Sequence, residues 1–165
     1  MKMNDRGVTD LPLKLLIMIV LIGTAIPLGA VSYREASRTR FENHTREKLK
    51  ELMTVASSLQ NEGNLSRDVF DLNLDGNTFA TLDYLMIGDE LGSRDWVIEY
   101  KMDWKNDPKL VTSPENDVHI TSIENKSYEM NSNYGEIALT HIYFKDDSFI
   151  IVSRPDTVIH LKNFV

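Results

Sequence analysis

Hydrophobic and polar residues fall into three regimes along this chain. From Leu15 to Val31 (LLIMIVLIGTAIPLGAV) there is no charge, and extending the run back to Leu11 adds only Lys14 as an interruption. Such a run matches the ~20 residues needed to cross the hydrocarbon core of a bilayer. A helix apolar on every side has no place in a soluble domain of this size, so the run reads as a membrane helix. Gly23, Pro27 and Gly29 lie inside it, and membrane helices tolerate such residues. A cleaved secretory signal ending at Ala30 fits poorly, because Leu28 is large where a small residue is needed.

The second regime, Ser32 to Glu62, has no Gly or Pro and is rich in Arg, Glu, Lys, Leu and Ala, which predicts a helical stalk continuing the first helix. Its first half is polar all round. Its second half places Leu49, Leu52, Ala56 and Leu59 three or four residues apart, an apolar stripe suited to packing on a domain or a neighbouring helix. Glu35 with Arg38, Glu42 with Arg46, and Glu47 and Glu51 near Lys50 predict local ion pairs on a solvated face, or pairs between subunits.

From Ser66 onward, short runs alternate with turn residues. Phe70, Leu72 and Leu74 alternate with Asp71 and Asn73, and Asp75-Gly76 offers a hairpin turn. The clearest strand is Trp96–Trp104, with Trp96, Ile98, Tyr100, Met102 and Trp104 on one face. Further strands are predicted near Thr78–Ile87, Leu110–Ser113, Val118–Ser122, Lys126–Met130, Glu136–Phe144, Ser148–Ser153 and Thr157–Lys162. The predicted fold class is α+β: a long N-terminal hydrophobic helix followed by an all-β, Ig-like sandwich head over 66–165.

Charge follows the same division. Residues 66–165 hold 9 Lys+Arg against 18 Asp+Glu, a net of −9, whereas 1–65 hold 9 against 7, a net of +2. An acidic head argues against nucleic acid as a partner, since phosphates need clustered Lys and Arg. The chain has no Cys, which excludes disulfide scaffolds, zinc ribbons, thiol nucleophiles and iron–sulfur sites.

Few residues suggest chemistry. Asp71-Leu72-Asn73-Leu74-Asp75-Gly76 matches the first half of a calcium loop, with oxygen donors at alternate positions and Gly at the sixth, but position twelve is Leu82 instead of Glu. The competing reading makes Asp71 and Asn73 the wet face of a strand and Asp75-Gly76 its turn; the clean apolar alternation favours the strand. Ca²⁺ is the single cofactor the pattern suggests. His44, His119, His141 and His160 are scattered, with the last three on predicted strands. No phosphate loop, nucleophile elbow or metalloprotease motif occurs, and no nucleophile is paired with a base, so the expectation is a protein that is not an enzyme. The Trp96/Tyr100/Trp104 face reads as core, with a sugar platform as the alternative.

The opening segment MKMNDRGVTDLPLKLLIMIVLIGTAIPLGAVSY, short and polar with Arg6-Gly7 before the apolar run, resembles the class III (type IV prepilin-like) signals of archaeal and bacterial pilins. The resemblance implies a leader over 1–7, cleaved by a prepilin peptidase between Gly7 and Val8 on the cytoplasmic side. It further implies a retained hydrophobic helix over 8–31 and a stalk over 32–62. Asp10 would supply the acid near the new terminus that sets register in a filament, and the Gly23…Pro27 pair matches the place where such helices often break. Mature position five is Pro12, where bacterial pilins carry Glu. Archaeal members, with an all-β head and often without that glutamate, are the closer match.

The resemblance implies a structural subunit, major or minor, of a surface filament used for adhesion or motility. It would assemble with other copies or other pilin-like subunits. The alternative is a single-pass membrane anchor whose head binds an S-layer or other envelope protein without polymerising. Lys2, Arg6 and Lys14 precede the apolar run and six basic residues from Arg34 to Lys50 follow it, so a bare charge count places the head in the cytoplasm. Pilin processing requires the head outside, and three glycosylation-type sequons at Asn43, Asn64 and Asn125 support that placement.

Overall fold

A computed structural model describes residues 6–113, 118–131, 135–144 and 147–159, with the side chains of the first helix described from Pro12 onward. Helix α1 runs uninterrupted from Arg6 to Glu62 and contains both Pro12 and Pro27. It therefore does not break at Gly23…Pro27, contrary to the pattern implied by the pilin resemblance. Pro27 lacks an N–H and removes the bond the Gly23 carbonyl would ordinarily receive. The helical path nonetheless continues, and the Thr24 hydroxyl donates back to the carbonyls of Val20 and Leu21 at 3.0 and 3.1 Å.

The chain divides into two compact units at Thr39/Arg40, inside α1, so that residues 40–62 belong with the strands. Among the described residues the second unit adds eight strands: β1 (Arg67–Asp71), β2 (Leu82–Ile87), β3 (Val97–Met102), β4 (Lys109–Thr112), β5 (Ile120–Ser122), β6 (Tyr128–Met130), β7 (Glu136–Phe144) and β8 (Asp147–Ser153). They form two four-stranded sheets, ordered β1-β7-β8-β5 and β4-β3-β2-β6. All pairings are antiparallel except β5 with β8. The fold is α+β with a β-sandwich head.

Packing follows from the apolar stripe of α1. Leu49, Leu52, Met53, Ala56 and Leu59 are buried in one core with Leu85, Ile87, Ile98 and Tyr100 of the second sheet and Ile137, Leu139, Ile150 and Val152 of the first. Each buried leucine contributes on the order of 2 kcal/mol of apolar burial. The opposite face of β7–β8 is apolar too: Ile142, Phe149 and Ile151 form a smaller cluster with Leu91, Ile123, Phe144 and Ile159. This double coverage explains why β7 is buried over six consecutive residues, Ile137 to Ile142, instead of alternating.

Three local expectations are corrected. Phe70, Leu72 and Leu74 are all buried, but the strand ends at Asp71, because Asn73 takes a positive φ of 42° and its N–H bonds to Asp71 Oδ1. Asp75-Gly76 does not close a hairpin from β1 to β2, since those strands lie in different sheets and β1 pairs with β7. Residues 157–159 are not a strand, and the remainder of that predicted element lies outside the described residues. Gly88 (φ 66°) closes β2, its N–H bonding to the Val97 carbonyl of the neighbouring β3 at 3.0 Å, while the next N–H, of Asp89, reaches the Ile120 carbonyl of β5 in the other sheet at 3.2 Å.

Candidate functional site

The most distinctive surface of this chain is the first unit's helix. Leu13, Leu15 through Ile22, Ile26, Leu28 and Val31 are all exposed, with Leu28 at 68% and Ile26 at 67%. At 1.5 Å per residue, Pro12 to Val31 spans about 30 Å, the thickness of a bilayer's hydrocarbon core. Among the described residues this is the one helix long and apolar enough to cross a membrane, and none of its apolar window is buried. Gly7, Val8 and Asp10 fall in the first turns of α1, and their side chains lie outside the described residues. Gly23 has open space where a Cβ would project, as does Gly29.

Within the second unit, Glu42 does not pair along its own helix with Arg46 as the sequence suggested. It accepts from Lys105 Nζ at 2.7 and 2.8 Å and also from Lys109 Nζ. Both lysines flank the turn from β3 to β4, so the contact ties α1 to the second sheet. Burial alone would push the Glu42 carboxyl up, but the hydrogen bonds and charges of the two lysines hold it below the usual carboxylate range. The hydrogen bond to Glu42 in turn raises Lys109. Of the aromatic face, Tyr100 is core at 1% exposed and Trp104, partly buried, packs against the core with its ring 6.3 Å from that of Phe41, whereas Trp96 is partly exposed and precedes β3.

The histidines take separate partners. His44 Nε2 lies 3.3 Å from the Asn73 carbonyl. His119 Nδ1 lies 3.0 Å from Asp95 Oδ2, which also accepts from the Gly92 N–H at 3.1 Å. These two residues help line a cavity of about 500 Å³ with Leu91, Asp147, Ser148 and Phe149. The Ser148 hydroxyl lies 2.9 Å from His141 Nε2, and His141 Nδ1 lies 2.8 Å from the Gly63 carbonyl. His160 lies outside the described residues. The sequence contained no sign of the Asp95–His119 or His141–Gly63 pairs, whose members are 24 and 78 positions apart.

Asp71, Asn73 and Asp75 are exposed, and Asp71 Oδ1 accepts from the Asn73 N–H at 3.1 Å. Among the described residues, no group of three or more His, Asp or Glu side chains is arranged to hold a metal ion. Of the sequon asparagines, Asn43 is exposed on α1, but its partner Thr45 is fully buried. Asn64 accepts the Tyr143 N–H at 2.8 Å, and Asn125, at φ 56°, accepts the Leu91 N–H at 3.2 Å.

Comparison of the chain with protein-family models, with curated proteins and with solved structures gives no match.

Proposed function

We propose that this chain is a pilin-like structural subunit that is inserted in the membrane through its N-terminal helix and assembles through the same helix into a surface filament. The observation that carries the reading is the apolar segment from Leu13 to Val31, exposed all round. Leaving such side chains in water costs on the order of 2 kcal/mol each, so the segment requires a cover of lipid or of like helices. Lipid serves before assembly. In a filament core, close packing of side chains replaces it. The Arg6-Gly7-Val8 leader, cut after Gly7 by a prepilin peptidase, supports this second cover, because a simple anchor needs no such site. Asp10 then serves as the acid near the new amino terminus that sets the axial register between subunits.

In this reading the β head faces outward and contacts neighbouring subunits, surfaces or the envelope. Replacing Gly7 with Val tests it: processing and filament incorporation stop while the head remains folded. Unaltered filaments containing the Gly7→Val chain contradict the proposal. Imaging of sheared surface fibres separates it from a non-polymerising anchor, which would stay with the membrane and be absent from the fibres.

A further inference from the structure

We infer that Arg34, with Arg38 one turn beyond it, binds the phosphate of an anionic phospholipid in the leaflet at the Val31 end of the apolar run, and so sets how deep α1 sits before assembly. The inference rests on the membrane insertion proposed above, to which it adds a ligand class and the residue that holds it.

The charges nearest the apolar run bracket it. Lys14 and Arg34 both lie on the uninterrupted helix α1, with no Asp, Glu, Lys or Arg between them. They are 20 positions apart, which at 1.5 Å per residue is about 30 Å, the thickness of the hydrocarbon core. A helix that spans this core therefore places Arg34 in the headgroup layer. The adjacent Tyr33 is 66% exposed, and an amphipathic ring of this kind suits the boundary between lipid and water.

Arg34 has a charge that its own helix leaves unanswered. It is exposed and bonded to no described residue. The positions that a helix brings beside it, three and four residues away, are Ala30, Val31, Ser37 and Arg38, none of them a carboxylate. Glu35 is next in sequence but points about 100° away around the helix. Arg38 instead places a second cation on the same side, about 6 Å further from the apolar run.

A second copy does not supply the missing anion before assembly. Copies inserted in the same sense present Arg34 at one level, where like charge meets like charge. Phospholipid phosphates occupy that level throughout the leaflet. The planar guanidinium fork matches the two free oxygens of a phosphodiester, and the long side chain reaches them while its stem stays against apolar surface.

The test uses the full chain in vesicles of phosphatidylglycerol mixed with a galactolipid that contains no phosphate. Alkaline carbonate extraction reports whether the chain is inserted. Electron spin resonance, with a nitroxide on one lipid or the other, then measures how strongly phosphatidylglycerol is preferred over the galactolipid among lipids immobilised at the helix. The preference is expected to fall about fivefold in Arg34→Gln, the weight of one cation at an anionic surface, and to be largely kept in Arg34→Lys. Lys14 contributes alike in all three chains and does not alter the comparison. An Arg34→Gln chain that resists extraction and retains the parent's preference overturns the inference and leaves membrane insertion standing. A parent chain that carbonate strips from the vesicles overturns the insertion itself, and the inference with it.

Discussion

His141 of β7 and Gly63, the residue that follows α1, are joined by a 2.8 Å hydrogen bond from the imidazole Nδ1 to the carbonyl. A carbonyl only accepts, so Nδ1 carries the proton, and in the neutral ring Nε2 accepts from the Ser148 hydroxyl at 2.9 Å. The ring is 4% exposed and sits where three segments converge: the end of α1, β7 and β8. The backbone repeats the junction, with Leu65 N bonded to the His141 carbonyl and His141 N to the Ser66 carbonyl, both at 2.9 Å. His141→Leu fills the space but leaves the Ser148 hydroxyl without this partner and removes one donor from Gly63. The expected cost is about 2 kcal/mol, read as a Tm lowered by several degrees in thermal denaturation of the full chain. An unchanged Tm would mean that the ring merely fills space.

Glu42 predicts how stability depends on pH. Its carboxyl is held low in the folded state, so its contribution is present above the unfolded carboxylate value of about 4.3 and is lost as pH falls through the lower folded value. Lys109 is held high, so its contribution is present below about 10.4 and is lost as pH rises through the higher folded value. Glu42→Gln is expected to cost about 1 kcal/mol at neutral pH and to flatten both limbs of a Tm-against-pH curve. A variant whose acid limb is as steep as that of the parent chain contradicts this assignment.

Gly88 tolerates no side chain. A Cβ there would lie 1.9 Å from the Ile120 carbonyl oxygen, a backbone atom of β5 that cannot swing aside, and the positive φ of 66° adds strain. Gly88→Ala is expected to destabilise the head by about 3 kcal/mol, measured by urea denaturation. Gly92→Ala is the control: its φ of 83° is also positive, but nothing lies within 4 Å of the added Cβ, so the cost there is the smaller one of strain alone.

Thr45 predicts a gain. Its hydroxyl is buried on the core face of α1 and finds no partner among the described residues. Thr45→Val keeps the shape and removes the unpaired group, which is expected to raise stability by about 1 kcal/mol. A lower Tm for this variant would show that the hydroxyl has a role in the native state.

Elements governed by local pattern were legible in the sequence. Glu136–Phe144 is a strand with the predicted bounds, and Ile98, Tyr100 and Met102 turn inward as their alternation requires. The stripe from Leu49 to Leu59 is buried as its spacing requires. Misreadings arose where a partner is distant. Asp75-Gly76 has hairpin chemistry, yet β1 pairs with β7, whose sequence lies more than 60 positions on. Glu42 has Arg46 one turn away and binds Lys105 and Lys109 instead, because burial against the second sheet brings those cations to it. The apolar helix was legible because its composition alone demands a cover. The junction at His141 was not, because nothing local distinguishes a buried histidine on a strand from an exposed one.

Whether the apolar helix belongs to a processed, assembling subunit, as proposed above, is decided by the mass of the mature chain's N-terminal peptide. The expected first residue is Val8, with residues 1–7 absent from chains recovered in surface filaments. A mature chain that retains Met1 and remains wholly with the membrane would contradict it.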